Sequence, residues 1–168
     1  MDKKNQERLR KIKLFEDFSE DTGALERIFL IGELQNVKKG DRIIEEGDVG
    51  ETLYILLSGS VRIEKTTLQN KPYTVVLLRE EHNVYFGELA LIDADRRSAT
   101  VLAENDCLLF TIHRKDFLQF CEDNPYMGYK ITMQIAKKIS ASLRKMNMDV
   151  ITLFEALVSE VEGQEISF

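Results

Sequence analysis

Hydrophobic and polar positions along the chain fall into three regimes. At the start, Arg8 to Lys13 is amphipathic with a helical period, and Ser19 is a candidate N-cap for a helix carrying Leu25, Ile28, Phe29 and Ile31. From Val37 the period changes to two. Short β-rich runs (Arg42 to Glu45, Thr52 to Leu57, Ser60 to Thr67, Tyr73 to Arg79, Ser98 to Ala103, Cys107 to Ile112) are separated by turn signals at Lys39-Gly40-Asp41, Gly47-Asp48, Ser58-Gly59 and Gln69-Asn70-Lys71-Pro72. Many short strands at regular spacing predict a jelly roll or a related β-roll. After Ile112 the helical period returns, first over His113 to Cys121. Asn124 is then placed as an N-cap, with Pro125 at N1, where its missing N–H costs nothing. The predicted fold class is α+β, mainly β: a jelly-roll-like β-roll with N-terminal helices and a long C-terminal helix. Its predicted parts are a helical segment over 1–34, the β-roll over 35–112, C-terminal helices over 113–160 and a tail over 161–168.

Within the long helix, Ala136, Ile139, Leu143, Met146, Val150, Leu153 and Leu157 are spaced 3, 4, 3, 4, 3 and 4 residues apart, a heptad seam. A narrow stripe fits a partner helix better than the wider stripe needed against a globular core, so a homodimer through residues 136–157 is expected. The alternatives are a helix packed on its own β-domain and two helices broken near Asn147 to Asp149.

Composition narrows the function classes. The chain has 168 residues, 43% of them apolar, and a net charge of −6 from 23 Lys or Arg and 29 Asp or Glu. A core of this size needs neither disulfides nor a structural metal, and an acidic chain is a poor general nucleic-acid binder. The charge is unevenly laid out: residues 1–13 carry six basic and two acidic residues, 124–148 five basic and none acidic, and 149–168 five acidic and none basic. No stretch approaches the eighteen or so apolar residues of a membrane span, and the N-terminus is charged where a signal peptide would be apolar. A cytoplasmic protein without membrane insertion is expected.

The segment that carries chemistry runs from Phe86 to Val101. Gly87 lets the backbone approach a ligand closely, and Gly87-Glu88-Leu89-Ala90 can begin a short helix whose free amides attract a phosphate. Arg97 adds charge and a planar fork of donors, and Ser98 with the following amides can complete the ring. Glu88 beside an anion makes sense if the ligand also offers hydroxyl donors, as a ribose does. The alternative is that Glu88 and Arg97 pair with each other across a loop.

This segment resembles the phosphate-binding cassette of the cyclic nucleotide-binding domain family. The resemblance extends to Leu14-Phe15 with Phe18-Ser19, to Lys39-Gly40-Asp41 and Glu46-Gly47-Asp48, and to the run from Leu53 to Val61, so that it covers roughly Ile12 to Lys145. It implies that Glu88 holds the ribose 2′-hydroxyl and Arg97 neutralises the cyclic phosphate. Gly87, Leu89 and Ala90 would supply backbone contacts, and Ser98 and Ala99 would close the phosphate site. Many members carry Pro or Gln before the arginine, where this chain has Arg96; the spacing from Glu88 favours Arg97. Cyclic GMP-selective members often have threonine after the arginine, so Ser98 leaves cyclic GMP open; other members resemble this chain in having serine there and use cyclic AMP, which is the reading preferred. Ser142 on the long helix is either in the position of a polar residue that reaches the base or a solvent-facing hydroxyl.

His82, His113, Cys107 and Cys121 show no metal-ligand or CxxC spacing, and no catalytic signature is present. The expectation is therefore a non-enzymatic cyclic nucleotide sensor, with no cofactor or metal, that signals through its C-terminal helix to another protein. Too little chain follows that helix for a helix-turn-helix DNA reader. The alternatives are an interaction dimer with a degenerate pocket, or the sensor of a larger channel, kinase or regulator.

Overall fold

The two most apolar runs of the sequence become neighbouring strands, because only there are both faces covered. In the computed structural model, which describes residues 3–67, 69–94 and 96–164, these are β3 (Thr52–Ser58) and β8 (Cys107–His113), paired antiparallel with Leu53 opposite Ile112 and Ile55 opposite Phe110. The strand β1 (Gly32–Val37) flanks β8, and β6 (Tyr85–Phe86) flanks β3, giving a sheet ordered β1-β8-β3-β6. A second sheet has the order β2-β7-β4-β5, from β2 (Arg42–Ile44), β4 (Ser60–Thr66), β5 (Pro72–Arg79) and β7 (Thr100–Ala103). One face of each sheet meets the other around Val37, Ile44, Leu56, Val61, Phe86, Val101, Ala103, Cys107 and Leu109.

Residues one step out of phase on β3 and β8 face the opposite way. Leu53, Ile55, Phe110 and Ile112 are buried, and each such side chain contributes about 1.5–3 kcal/mol. The Phe110 ring stacks on Phe29 of α2 (Thr22–Leu30) at 5.2 Å. The N-terminal layer also holds α1 (Lys3–Lys11) and a 3-10 turn over Lys13–Phe18, which bury Leu9, Leu14, Phe15 and Phe18. An arginine pins α1 to the roll: Arg8 donates to the Glu80 carboxylate at 2.7 Å and to its carbonyl at 3.0 Å. The other Glu80 oxygen accepts the Gly59 amide at 2.6 Å.

Several boundaries differ from the sequence reading. Asp21, not Ser19, caps α2: its backbone is extended and its carboxylate accepts the Ala24 amide at 2.9 Å, whereas Ser19 is helical and ends the 3-10 turn. The first helix begins at Lys3 rather than Arg8. Strand β1 starts at Gly32, inside the segment read as helical. Its pattern is weak because it is an edge strand with only Val37 buried, held by main-chain pairing to β8. The two-residue β6 is too short to carry a period. Asn124 serves both neighbours: its side-chain amide donates to the Phe120 carbonyl at the end of α4 (Arg114–Asp123), while its own carbonyl accepts the Gly128 amide at 2.9 Å at the head of the helix that Pro125 begins, as the sequence reading expects.

The chain divides into two units, Met1–Thr132 and Met133–Phe168. The last helix, α5 (Pro125–Gln164), is continuous through Asn147 to Asp149, with no proline or glycine there to break its ladder. In the second unit the seam residues Ile139, Leu143, Met146, Val150, Leu153 and Leu157 are all exposed, Leu153 by 64%. Of the tail read over 161–168, residues 165–168 lie outside the described residues. No helix among the described residues is long and apolar enough to cross a membrane.

Glu80 supplies a test of how the N-terminal layer is held. The Gly59 amide first, and the Arg8 guanidinium after it, hold its carboxyl below the ordinary 4.5. A lowered folded-state pKa contributes stability that is present above the unfolded value and is lost as pH falls through the folded one. In urea unfolding, Glu80→Gln should be less stable than the wild type at pH 7, and the gap should close as pH is lowered below about 4.5. A gap that stays constant with pH would exclude the carboxylate as its source.

Candidate functional site

The cassette begins where β6 ends. Gly87 takes φ +73°, a left-handed turn that leads into α3 (Leu89–Ile92), and Glu88 is already helical. The amides of Ala90 and Leu91 return to the carbonyls of Gly87 and Glu88 at 3.2 and 3.1 Å. A Cβ on residue 87 would lie 2.8 Å from Arg97 Nη1 and 3.1 Å from the Thr52 carbonyl oxygen, so glycine is required by space as well as by conformation.

The two arginines separate cleanly. The main chain around them is stitched to the Gly47–Val49 loop: the Arg97 amide donates to the Asp48 carbonyl at 2.7 Å, the Gly47 amide donates to the Arg97 carbonyl at 2.9 Å, and Val49 bridges Arg96. From that anchor Arg96 turns outward, is exposed, and donates to the Gly47 carbonyl at 2.7 Å. Arg97 turns inward. Its Nη2 donates to the Thr52 carbonyl at 2.8 Å and its Nη1 to the Gly87 carbonyl at 3.3 Å, while its Cζ lies 5.8 Å from the centre of the Tyr54 ring. Tyr54 in turn stacks on Phe86 at 5.4 Å with planes 10° apart.

No ion pair among the described residues involves Arg97. Its guanidinium bonds go to carbonyls, not to the Glu88 carboxylate. Burial pulls its pKa down and Tyr54 opposes the shift, but a guanidinium stays protonated in a protein. A half-buried cation without a carboxylate is held by charge-assisted bonds of about 1.5–3 kcal/mol each and by a cation–π contact of about 0.5–2 kcal/mol. Tyr85, behind the turn, is pushed up to about 12 by burial and then by the charges of Glu88 and Glu16, so it remains a neutral phenol.

A cavity of about 230 Å3 opens against this arrangement, lined by Gly87, Glu88, Leu89, Ala90, Asp93, Arg96, Arg97 and Ser98. Six of the sequence-derived candidates thus share one wall. Ala99 follows Ser98 half-buried and outside that lining, and Ser142 lies exposed on α5 in the second unit. Asp95, inside the cassette stretch, lies outside the described residues. Asp93, Gly50, Thr52 and Tyr54 were not singled out from sequence: Thr52 acts through a backbone carbonyl, which every residue has, and Gly50 sits in a loop with no pattern of its own. A larger cavity, about 580 Å3, is walled by Glu33, Asp116 and Asp123 against Arg27, a balance that disfavours an anion.

The sequence model of the cyclic nucleotide-binding domain matches residues 34–124. The chain belongs to the cyclic nucleotide-binding domain family. Among curated relatives, the cyclic AMP receptor protein of Thermus thermophilus is 30% identical over 118 residues, which cover 70% of this chain and 53% of that protein. The cGMP-dependent protein kinase 2 of Mus musculus is 37% identical over 132 residues, 74% of this chain and 17% of the kinase. The chain therefore spans about half the length of the first and a small part of the second. Among solved structures, the Thermus thermophilus catabolite activator protein superposes with a TM-score of 0.75 at 26% identity, covering 84% of this chain and 62% of that one. The β-roll with its helices and long C-terminal helix is the fold of that structure.

Gly87 is the sharpest local test. Gly87→Ala should destabilise the domain by about 1–2 kcal/mol from the left-handed backbone alone, and more from the contacts at 2.8 and 3.1 Å. Chemical denaturation checks this; a neutral change would mean the turn readily adopts another conformation.

Proposed function

We propose that the chain is a regulatory sensor that binds a cyclic nucleotide, cyclic AMP in preference to cyclic GMP, and passes the event to a partner protein through α5, without catalysis. The observation that carries the reading is Arg97, a half-buried cation answered by carbonyls and a ring and standing on the wall of the cassette cavity. A phosphate brought there gains charge-assisted bonds without first breaking an ion pair. The cavity is smaller than the roughly 300–1,000 Å3 of a pocket that engulfs a whole drug-sized ligand, which suits the phosphate and sugar end of a nucleotide. Glu88 on the same wall supplies an acceptor for the ribose 2′-hydroxyl. The backbone of Gly87, Leu89 and Ala90 meets the phosphate side, and Ser98 and Ala99 close it. Ser98 in place of threonine supports cyclic AMP, as does the name of the Thermus relative; the kinase relative is named for cyclic GMP. Ser142 is assigned to the base.

Binding can move a conformational equilibrium only by its differential affinity for two states. The exposed apolar seam of α5 supplies the second element of such a switch, as a homodimer interface over residues 136–157. The acidic run after Asp149 favours a protein over a nucleic acid as the recipient of the signal, and the setting proposed is cytoplasmic.

Calorimetric titration with cyclic AMP and cyclic GMP tests the sensor reading, and binding of neither below millimolar concentration would end it. Arg97→Ala should cost about 2–5 kcal/mol of binding; an unchanged affinity would move the role to Arg96. For the seam, light scattering of Leu143→Glu should find monomers where the wild type is dimeric, and a dimer that survives the charge would refute that interface.

A further inference from the structure

The loop between β2 and β3 approaches the site from behind. A Cβ built on Gly50 would lie 1.8 Å from Arg97 Nε, 2.3 Å from Cζ and 2.5 Å from Nη2. These three nearest atoms all belong to one guanidinium, the far end of a flexible side chain. The Gly50 backbone is also outside the left-handed region, unlike Gly47 at φ +89° and Gly87 at φ +73°. Alanine at 50 can therefore keep the main chain where it is. What cannot stay is the arginine head.

That head is bounded on its other sides by the Thr52 carbonyl, the Gly87 carbonyl and the Tyr54 ring. Tyr54 is itself fixed by its stack on Phe86 and packs against the inter-sheet core. A cavity of about 330 Å3 behind the head, bordered by Gly50, Thr52, Tyr54 and Arg97, leaves room for the guanidinium to be driven elsewhere. The aromatic face and the missing Cβ thus act on the same group from two directions.

We propose that Gly50 and Tyr54 are positioning residues for anion binding, which hold the Arg97 fork in place between a bare backbone and an aromatic face so that it meets a phosphate already oriented. The inference rests on the sensor reading for its ligand, while the placement of the arginine can be tested without one. Preorganisation removes the cost of ordering a long side chain at the moment of binding. Losing it together with one or both carbonyl bonds corresponds to roughly ten- to a hundredfold in affinity.

The test compares the 168-residue wild-type chain with Gly50→Ala, Tyr54→Leu and Tyr54→Phe by three readouts: cyclic AMP affinity, the urea midpoint, and the Arg97 Nε–H resonance in a proton–nitrogen spectrum. Gly50→Ala should weaken binding about tenfold or more, shift that resonance in the ligand-free protein, and keep one cooperative urea transition whose midpoint falls by no more than the lost carbonyl bonds of Arg97 account for. Tyr54→Leu should weaken binding and shift the resonance, and Tyr54→Phe, which keeps the ring, should restore most of both. Unchanged affinity or an unmoved resonance in Gly50→Ala would overturn the proposal, as would a loss of binding in a variant that no longer unfolds in one cooperative transition. Should the wild type bind neither cyclic nucleotide, the sensor reading falls by itself, and the resonance alone decides whether Gly50 and Tyr54 place the arginine.

Discussion

Arg97 is a cation half removed from water, and the cassette is built around the problem of keeping it there. Its bonds to the carbonyls of Thr52 and Gly87 and its contact with Tyr54 come from three separate places: the start of β3, the turn after β6 and the middle of β3. Replacing this set with a carboxylate would be electrostatically stronger, but a neutralised guanidinium has little to offer an anion. Carbonyls and a π face hold the charge without cancelling it. Burial at that point is therefore a cost that the surrounding strands offset through geometry rather than through an ion pair.

Geometry of that kind needs rigid supports, and these come from the pairing of strands. Tyr54 stands opposite Phe86 in the β3–β6 register, which sets one ring over the other. The main chain of Arg96 and Arg97 is tied to the loop at Gly47 to Val49, so the side chain starts from a fixed origin. Arg96 and Arg97 are neighbours with identical chemistry, and the difference between an exposed tether and an inward-facing cation is which side of that anchored, extended segment each one leaves.

Much of this was legible beforehand. The alternation from Arg42 onward located β2, β3, β4, β5, β7 and β8 to within a residue or two. Gly87, Glu88, Leu89, Ala90, Arg97 and Ser98 stood out because their residue types suit an anion, and they line one cavity. Edge strand β1 was not legible: its partners are main-chain groups of β8, and backbone pairing leaves no mark on side-chain polarity. The cap at Asp21 was misplaced to Ser19 for a related reason, since both residue types can cap and only the extended backbone at Asp21 allows it.

Sequence by itself determined the elements and the chemistry: a two-residue period, a heptad seam on the last helix, and an arginine close to a Gly-Glu turn. Those are properties of residue type and local spacing, which a linear pattern records directly. Only the tertiary structure decided which arginine turns inward, which carbonyls receive it, and what a side chain at residue 50 would displace. Each of these depends on atoms tens of residues apart meeting within a few ångströms, and a glycine or a carbonyl shows no difference in sequence until something is packed against it.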